Sequence, residues 1–165
     1  LKLIPLTIMK KILILCLISM LNWSCVQTPP APTSMELQAF QRKKFPTSKE
    51  VAFGSVVSVF QDLGYIIKSA DKDTGLISAS SPSKTSYNFF FGNTNMSNTG
   101  VNAFVETIGE VTAIRLNFVE VNEASSGYGQ KAKTDKPIYD QVVYQNAFEK
   151  ISEAIFIREK AQGVK

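Results

Sequence analysis

Asp73-Thr74-Gly75 is the one tripeptide in this chain that matches a known catalytic signature, that of carboxylate pairs that share a proton and activate water. Its neighbours argue against that chemistry. Asp71 and Lys72 stand where such sites carry aliphatic residues, and only one copy is present, so a site would need two chains. Asp71 and Asp73 also have the alternate spacing that opens a calcium loop, but Gly75 comes too early and no further Asp or Asn follows in step. Asp71-Lys72-Asp73-Thr74-Gly75 reads instead as a hairpin turn, because Asp accepts hydrogen bonds from the next amides and Gly takes a left-handed conformation. The chain has no histidine, which removes the commonest general base and a common metal ligand. A Ser–Lys hydrolase would need a buried lysine, and no position marks one. Asn95-Met96-Ser97 is formally a glycosylation sequon and carries little weight by itself. The sequence predicts no enzyme, no metal and no cofactor.

Cysteine offers a different chemistry. Met9-Lys10-Lys11 is followed by an apolar run, Ile12 to Leu21, then Asn22-Trp23-Ser24-Cys25. A short basic region, an apolar stretch and a small residue before cysteine form the layout of a bacterial lipoprotein signal peptide. The run is far shorter than the ~20 residues that span a bilayer, and Lys10 and Lys11 separate it from the apolar residues upstream. The expectation is a signal peptide over residues 1–24 with its start at Met9, and lipidation of Cys25 with palmitate-type acyl chains. Asn22 and Trp23 depart from the usual pattern, which has an aliphatic residue three places before the cysteine. An ordinary secreted protein cut nearby and an uncleaved anchor are the alternatives. Cys16 lies inside the apolar run and is a poor rival. Val26 is not the Asp that retains lipoproteins at the inner membrane, so the expected place is the outer membrane, facing the periplasm.

Removing the leader changes the chemistry of what remains. The full chain has 18 basic and 14 acidic side chains, but Lys2, Lys10 and Lys11 lie upstream of Cys25. The remainder has 15 basic residues against 14 acidic ones, so the basic balance that would suggest a nucleic-acid partner disappears. One cysteine remains, which excludes an internal disulfide. Stability must come from a hydrophobic core, and residues 36–162 suffice for one domain.

Val26 to Met35 is polar and proline-rich and reads as a tether over 25–35. Glu36 to Phe45 reads as an edge strand that ends at Pro46. Thr47 or Ser48 caps a helix on which Phe53, Val56, Val57, Phe60 and Leu63 recur at helical spacing, and Gly64 ends it. Tyr65–Ala70 and Leu76–Ser80 form a hairpin around the Asp71–Gly75 turn, and Pro82 breaks the chain. Tyr87–Phe91 is a strand and Gly92–Gly100 a polar loop. Val101–Ile108 and Val111–Val121 pair about Gly109-Glu110, with Ile114, Leu116 and Phe118 alternating with Arg115 and Asn117. Asn122–Lys136 reads as a loop, and Pro137 opens a last helix carrying Gln141, Tyr144, Phe148, Ile151 and Ile155. Strands grouped between terminal elements predict an α+β two-layer sandwich. The expected sheet is mostly antiparallel, with about five to six strands and two helices in the order β-α-β-β-β-β-β-α.

Val59-Phe60-Gln61-Asp62-Leu63-Gly64-Tyr65-Ile66-Ile67 followed by Gly75-Leu76-Ile77-Ser78-Ala79, with Gln41-Arg42-Lys43-Lys44-Phe45 before it, resembles a pattern in small bacterial envelope lipoproteins. The arrangement is similar to BamC-type accessory lipoprotein domains of the outer-membrane β-barrel assembly machine. The match runs from Gln41 to Ala79 and consists of a helix cap, a turn and strand residues. It implies the fold and the location and carries over no catalytic residue.

Phe89-Phe90-Phe91 and Tyr128, the latter between Gly127 and Gly129, are the candidate contacts for a partner or ligand. Adjacent strand residues face opposite ways, so Phe90 cannot share a face with Phe89 and Phe91. The sequence thus predicts a membrane-anchored, non-catalytic interaction or accessory module of the cell envelope. The alternative is a carrier or sensor of an apolar ligand held between sheet and helices.

Overall fold

Thr33 and Glu36 start the first element. The Thr33 hydroxyl accepts from the Glu36 amide, and the Glu36 carboxylate accepts from the Thr33 amide at 2.7 Å, a reciprocal capping box. The helix it opens, α1 (Ser34–Gln41), replaces most of the strand expected over Glu36–Phe45 and the end of the expected tether. Leu37 and Phe40 are three apart and half-buried, which suits a helix and not a strand. Only β1 (Arg42–Phe45) is extended. This computed structural model describes residues 32–88, 93–126 and 129–163, and the compact unit that contains them begins at Pro32.

Ser48 caps α2 (Lys49–Asp62) by accepting from the Val51 amide, and Gly64, at φ +80°, lets the chain leave it. Then come β2 (Ile66–Asp71), β3 (Leu76–Ser80), β4 (Lys84–Asn88), β5 (Asn93–Ile108), β6 (Val111–Ser125), β7 (Lys131–Pro137) and α3 (Gln141–Ala161). The fold is α+β: an open, seven-stranded antiparallel sheet with three helices among the described residues. Four expectations are corrected. The polar loop over Gly92–Gly100 is strand from Asn93 onward, and the loop over Asn122–Lys136 contains the end of β6 and nearly all of β7. The strand expected at Tyr87–Phe91 begins earlier, at Lys84. Pro137 ends a strand, and Asp140 caps α3 by accepting from the Val142 amide at 2.9 Å.

The β5–β6 hairpin is the spine. Its register is unbroken from Thr94↔Ser125 to Ile108↔Val111, and Gly109, at φ +62°, makes the two-residue turn. β3 pairs with β5 over Gly100–Phe104 and β4 pairs with it over Asn93–Ser97, so the two lie end to end along one side. β1 and β7 lie end to end along the other side, on β6. β2 extends the sheet beyond β3.

Alternation along the spine decides the core. Val101, Ala103 and Val105 of β5, and Ile114, Leu116 and Phe118 of β6, point to one face and are buried. Val56, Val59 and Phe60 of α2, and Tyr144, Ala147, Phe148 and Ile151 of α3, close over them in one cluster. Leu63 of the predicted helical face is 40% exposed, and Gln141 is also exposed. The two helices are fastened by Arg158, whose guanidinium lies across Gly54 and donates to the Gly54 carbonyl (3.0 Å) and the Ser58 hydroxyl (2.5 Å).

Tyr144 fills the seam between the two collinear strands on β6. β1 pairing stops at Arg115 and β7 pairing starts at Val119. In the gap, the Tyr144 hydroxyl accepts from the Phe118 amide (3.3 Å) and donates to the Ile138 carbonyl (2.9 Å). It also accepts from the Gln41 side chain (3.3 Å), and its ring meets Phe40 and Phe118 edge-on.

Helix length limits the core. A strand of 15 residues runs about 50 Å at ~3.3 Å per residue. The 14-residue α2 runs about 21 Å and the 21-residue α3 about 31 Å. The helices therefore cover one half of the spine. In the other half, formed by β4, the start of β5, the end of β6 and β7, no residue whose exposure is described is buried.

Candidate functional site

The Asp71–Gly75 segment is a hairpin turn built from its own polar atoms. The Asp71 carboxylate accepts from the amides of Asp73 (2.9 Å) and Thr74 (3.4 Å), and Gly75 turns back at φ +81°. Lys49 donates to the Asp73 carbonyl at 2.8 Å. The turn is exposed, and its aspartates serve it as hydrogen-bond acceptors. Hydrogen bonds from the Thr74 side chain, then from the Asp73 and Thr74 amides, hold the Asp71 carboxyl below the usual carboxylate range. The Thr33 amide and hydroxyl do the same for Glu36. A depressed carboxylate contributes stability above its unfolded pKa, and that contribution is lost as pH falls through the folded value. Acidification from the ordinary carboxylate range downward is therefore expected to release this turn and the α1 cap. Amide exchange at Asp73, Thr74 and Thr33 should gain over core amides, which measurement by NMR would show.

Among the described residues no cluster of metal-ligating side chains occurs, and no serine hydroxyl is hydrogen-bonded to a lysine. No helix among them is long and apolar enough to cross a membrane. The space between helices and sheet holds Phe53, Val56, Phe60, Leu116, Phe118 and Tyr144, each at most 8% exposed.

Cys25, Phe89, Phe90, Phe91 and Tyr128 lie outside the described residues. The strands around the last four are described. Asn88 pairs with Asn93, Thr94 with Ser125, and Ser125 with Lys131. The strand ends that lead into residues 89–92 and 127–128 therefore lie together at one end of the sheet, the end away from the helices. Sequence reasoning did not see this juxtaposition, because it had read β7 and the start of β5 as loops.

That distal half is a single layer of four strands, β4-β5-β6-β7. Its two faces differ. Toward the helix side it presents Asn93, Asn95, Ser97, Thr99, Asn122 and Thr134, which are almost wholly polar. The opposite face carries Met96, Val119 and Val121 with Tyr87 and Pro137 at its margins, and Tyr87 and Met96 are 62% and 40% exposed. Lys131, Lys133, Glu123 and Asp135 stand on this same face, two charges of each sign. A cleft of about 400 Å³ crosses it, lined by Thr94, Met96, Glu123, Ser125, Lys131 and Lys133 among others. An amphipathic sheet face that nothing in the described chain covers has the composition of a docking surface. The helix layer exposes a smaller apolar pair, Phe156 and Ile157, with Lys160 over the Phe156 ring at 5.4 Å.

The class defined is an α+β protein with helices on one face of half an antiparallel sheet and an uncovered sheet extension beyond them. No protein-family model matches the chain, and no curated protein matches it.

Proposed function

We propose that this chain is a lipid-anchored, non-catalytic accessory module of a bacterial cell envelope. It is held through Cys25 at the periplasmic face of the outer membrane and docks another envelope protein on its distal half-sheet. The carrying observation is that half-sheet, in which the face bearing Met96, Val119, Val121 and Tyr87 has no cover among the described residues. The resemblance to accessory lipoproteins of the β-barrel assembly machine and the leader ending in Ser24-Cys25 point the same way. Phe89–Phe91 and Tyr128, next in sequence to that half-sheet, extend the contact.

Metabolic palmitate labelling tests the anchor: label on the wild-type chain and none on Cys25→Ser is expected, and equal label on both would refute it. Crosslinking in intact envelopes followed by pull-down tests the docking. The wild type should recover a specific protein partner, and Met96→Asp with Val121→Asp should recover it at least ~10-fold less, the effect of losing a central apolar anchor. Equal recovery, or no specific partner for the wild type, would refute the docking.

A further inference from the structure

A sheet edge is a template for another strand, and proteins blunt their edges with charge, proline, bulges or cover. Among the described residues this sheet has four outer edges. β1 is four residues long with Lys43 and Lys44 at its centre. β2 carries a register break at Lys68, between Ile67 and Ser69. β7 presents Lys131, Lys133 and Lys136 and ends on Pro137, which has no amide hydrogen to donate. β4 is the least protected of the four. Its five-residue register against β5 is unbroken, its one charge is Lys84 at the first position, and Pro82 lies outside it.

Like β7, β4 has little to hold it, and at five residues it is the shorter of the two. Lys84 to Tyr87 are all exposed, so side chains on both faces meet solvent, and β5 supplies its one strand partner among the described residues. A strand without packing on either face is marginal. A second strand partner would supply what packing does not.

We infer that β4 pairs with β4 of a second copy of this chain, antiparallel about Ser86, joining two sheets edge to edge. This register sets Thr85 against Tyr87 of the second copy twice, Ser86 against Ser86, and Lys84 against Asn88, with no like charges opposed. Centring the pair one residue earlier loses the Thr–Tyr pairs, and centring it on Lys84 opposes two lysines, which is unfavourable. Two-fold symmetry uses the same edge on both copies, so the assembly closes at a dimer. Five-residue strands exchange about four to six backbone hydrogen bonds, and the contact falls short of the ~1,600 Å² of a standard interface. The dimer is accordingly weak, with a dissociation constant on the order of tens of micromolar. Tyr87 stands at the margin of the sheet face proposed to dock a partner, but the edge contact is made by the β4 backbone, and neither contact needs the other.

Sedimentation velocity of the full chain in density-matched detergent, from about 1 to 300 µM, tests this range. The wild type should move from monomer to dimer. Thr85→Lys with Tyr87→Lys opposes like charges at two positions and should weaken the dimer at least tenfold, as should Thr85→Glu with Tyr87→Glu. An equimolar mixture of the two variants should regain a heterodimer. Thermal melts read by circular dichroism keep the comparison to folded protein, since both positions are exposed. A wild type that stays monomeric throughout would overturn the inference. So would a dimer indifferent to both variants, or variants that fail to pair with each other.

Discussion

Tyr144→Ala is expected to cost about 3–5 kcal/mol, the scale of removing a fully buried aromatic ring, and Tyr144→Phe about 1–3 kcal/mol. The ring is wholly buried between Phe40 and Phe118, so its removal leaves a cavity bounded by α1 and the spine. The hydroxyl does separate work. It bonds the Phe118 amide and the Ile138 carbonyl in the gap between β1 and β7, where β6 has no strand neighbour on that side. Phenylalanine keeps the packing and strands those backbone groups, which is why the smaller substitution still carries a measurable penalty. Urea unfolding monitored by circular dichroism would give both values. A Tyr144→Phe variant as stable as the wild type would show that the seam is closed by something other than this hydroxyl. An unchanged m-value is expected, because neither change alters the surface exposed on unfolding by much.

The second large effect is at Gly75. Its φ is +81°, and a Cβ built there would lie 2.0 Å from the Val105 carbonyl oxygen. The Gly75 carbonyl meanwhile accepts from the Val105 amide at 2.9 Å, so β5 backbone sits against this residue by design of the pairing. Gly75→Ala must take a left-handed conformation, costing ~1–2 kcal/mol, and must also push β5 away, endangering a hydrogen bond worth ~1 kcal/mol. A total of about 2–3 kcal/mol is expected. Gly64→Ala is the control: φ is +80° and nothing lies within 4 Å of the built Cβ. It should lose only the conformational part, and the difference between the two variants isolates the close approach of β3 and β5. Equal losses at both sites would show that the approach relaxes without cost.

Much of the covered half was legible in the sequence. Ile114, Leu116 and Phe118 alternate with Arg115 and Asn117 because one face meets the helices and the other does not. Phe53, Val56 and Phe60 kept helical spacing for the same reason. The distal half left no such trace. Asn93–Gly100 and Lys131–Pro137 have both faces in solvent, so burial imposes no period of two, and Asn, Gly, Lys and Pro are weak strand formers. What holds them extended is backbone pairing with adjacent strands, which the pattern of residue types does not report. The first helix is a different case. Thr33-Ser34-Met35-Glu36 is a capping-box sequence, and Leu37 and Phe40 stand three apart. The signal was present, and the reading as strand passed over it. The candidate contacts Phe89–Phe91 and Tyr128 were found by residue type; that the described strand ends leading toward them share one end of the sheet follows from the β4–β5, β5–β6 and β6–β7 pairings, which only the topology supplies.

Those pairings make the uncovered half-sheet the centre of the functional account, and position-resolved photo-crosslinking in living cells tests it most directly. A photo-reactive residue would be placed at Met96, Val121 or Lys133 on the distal face, and at Ser152 or Glu153 on the exposed side of α3. The account predicts one common partner captured from the three distal positions and none from the two helical ones. Capture from the helix positions alone, or no capture from the distal face, would contradict it.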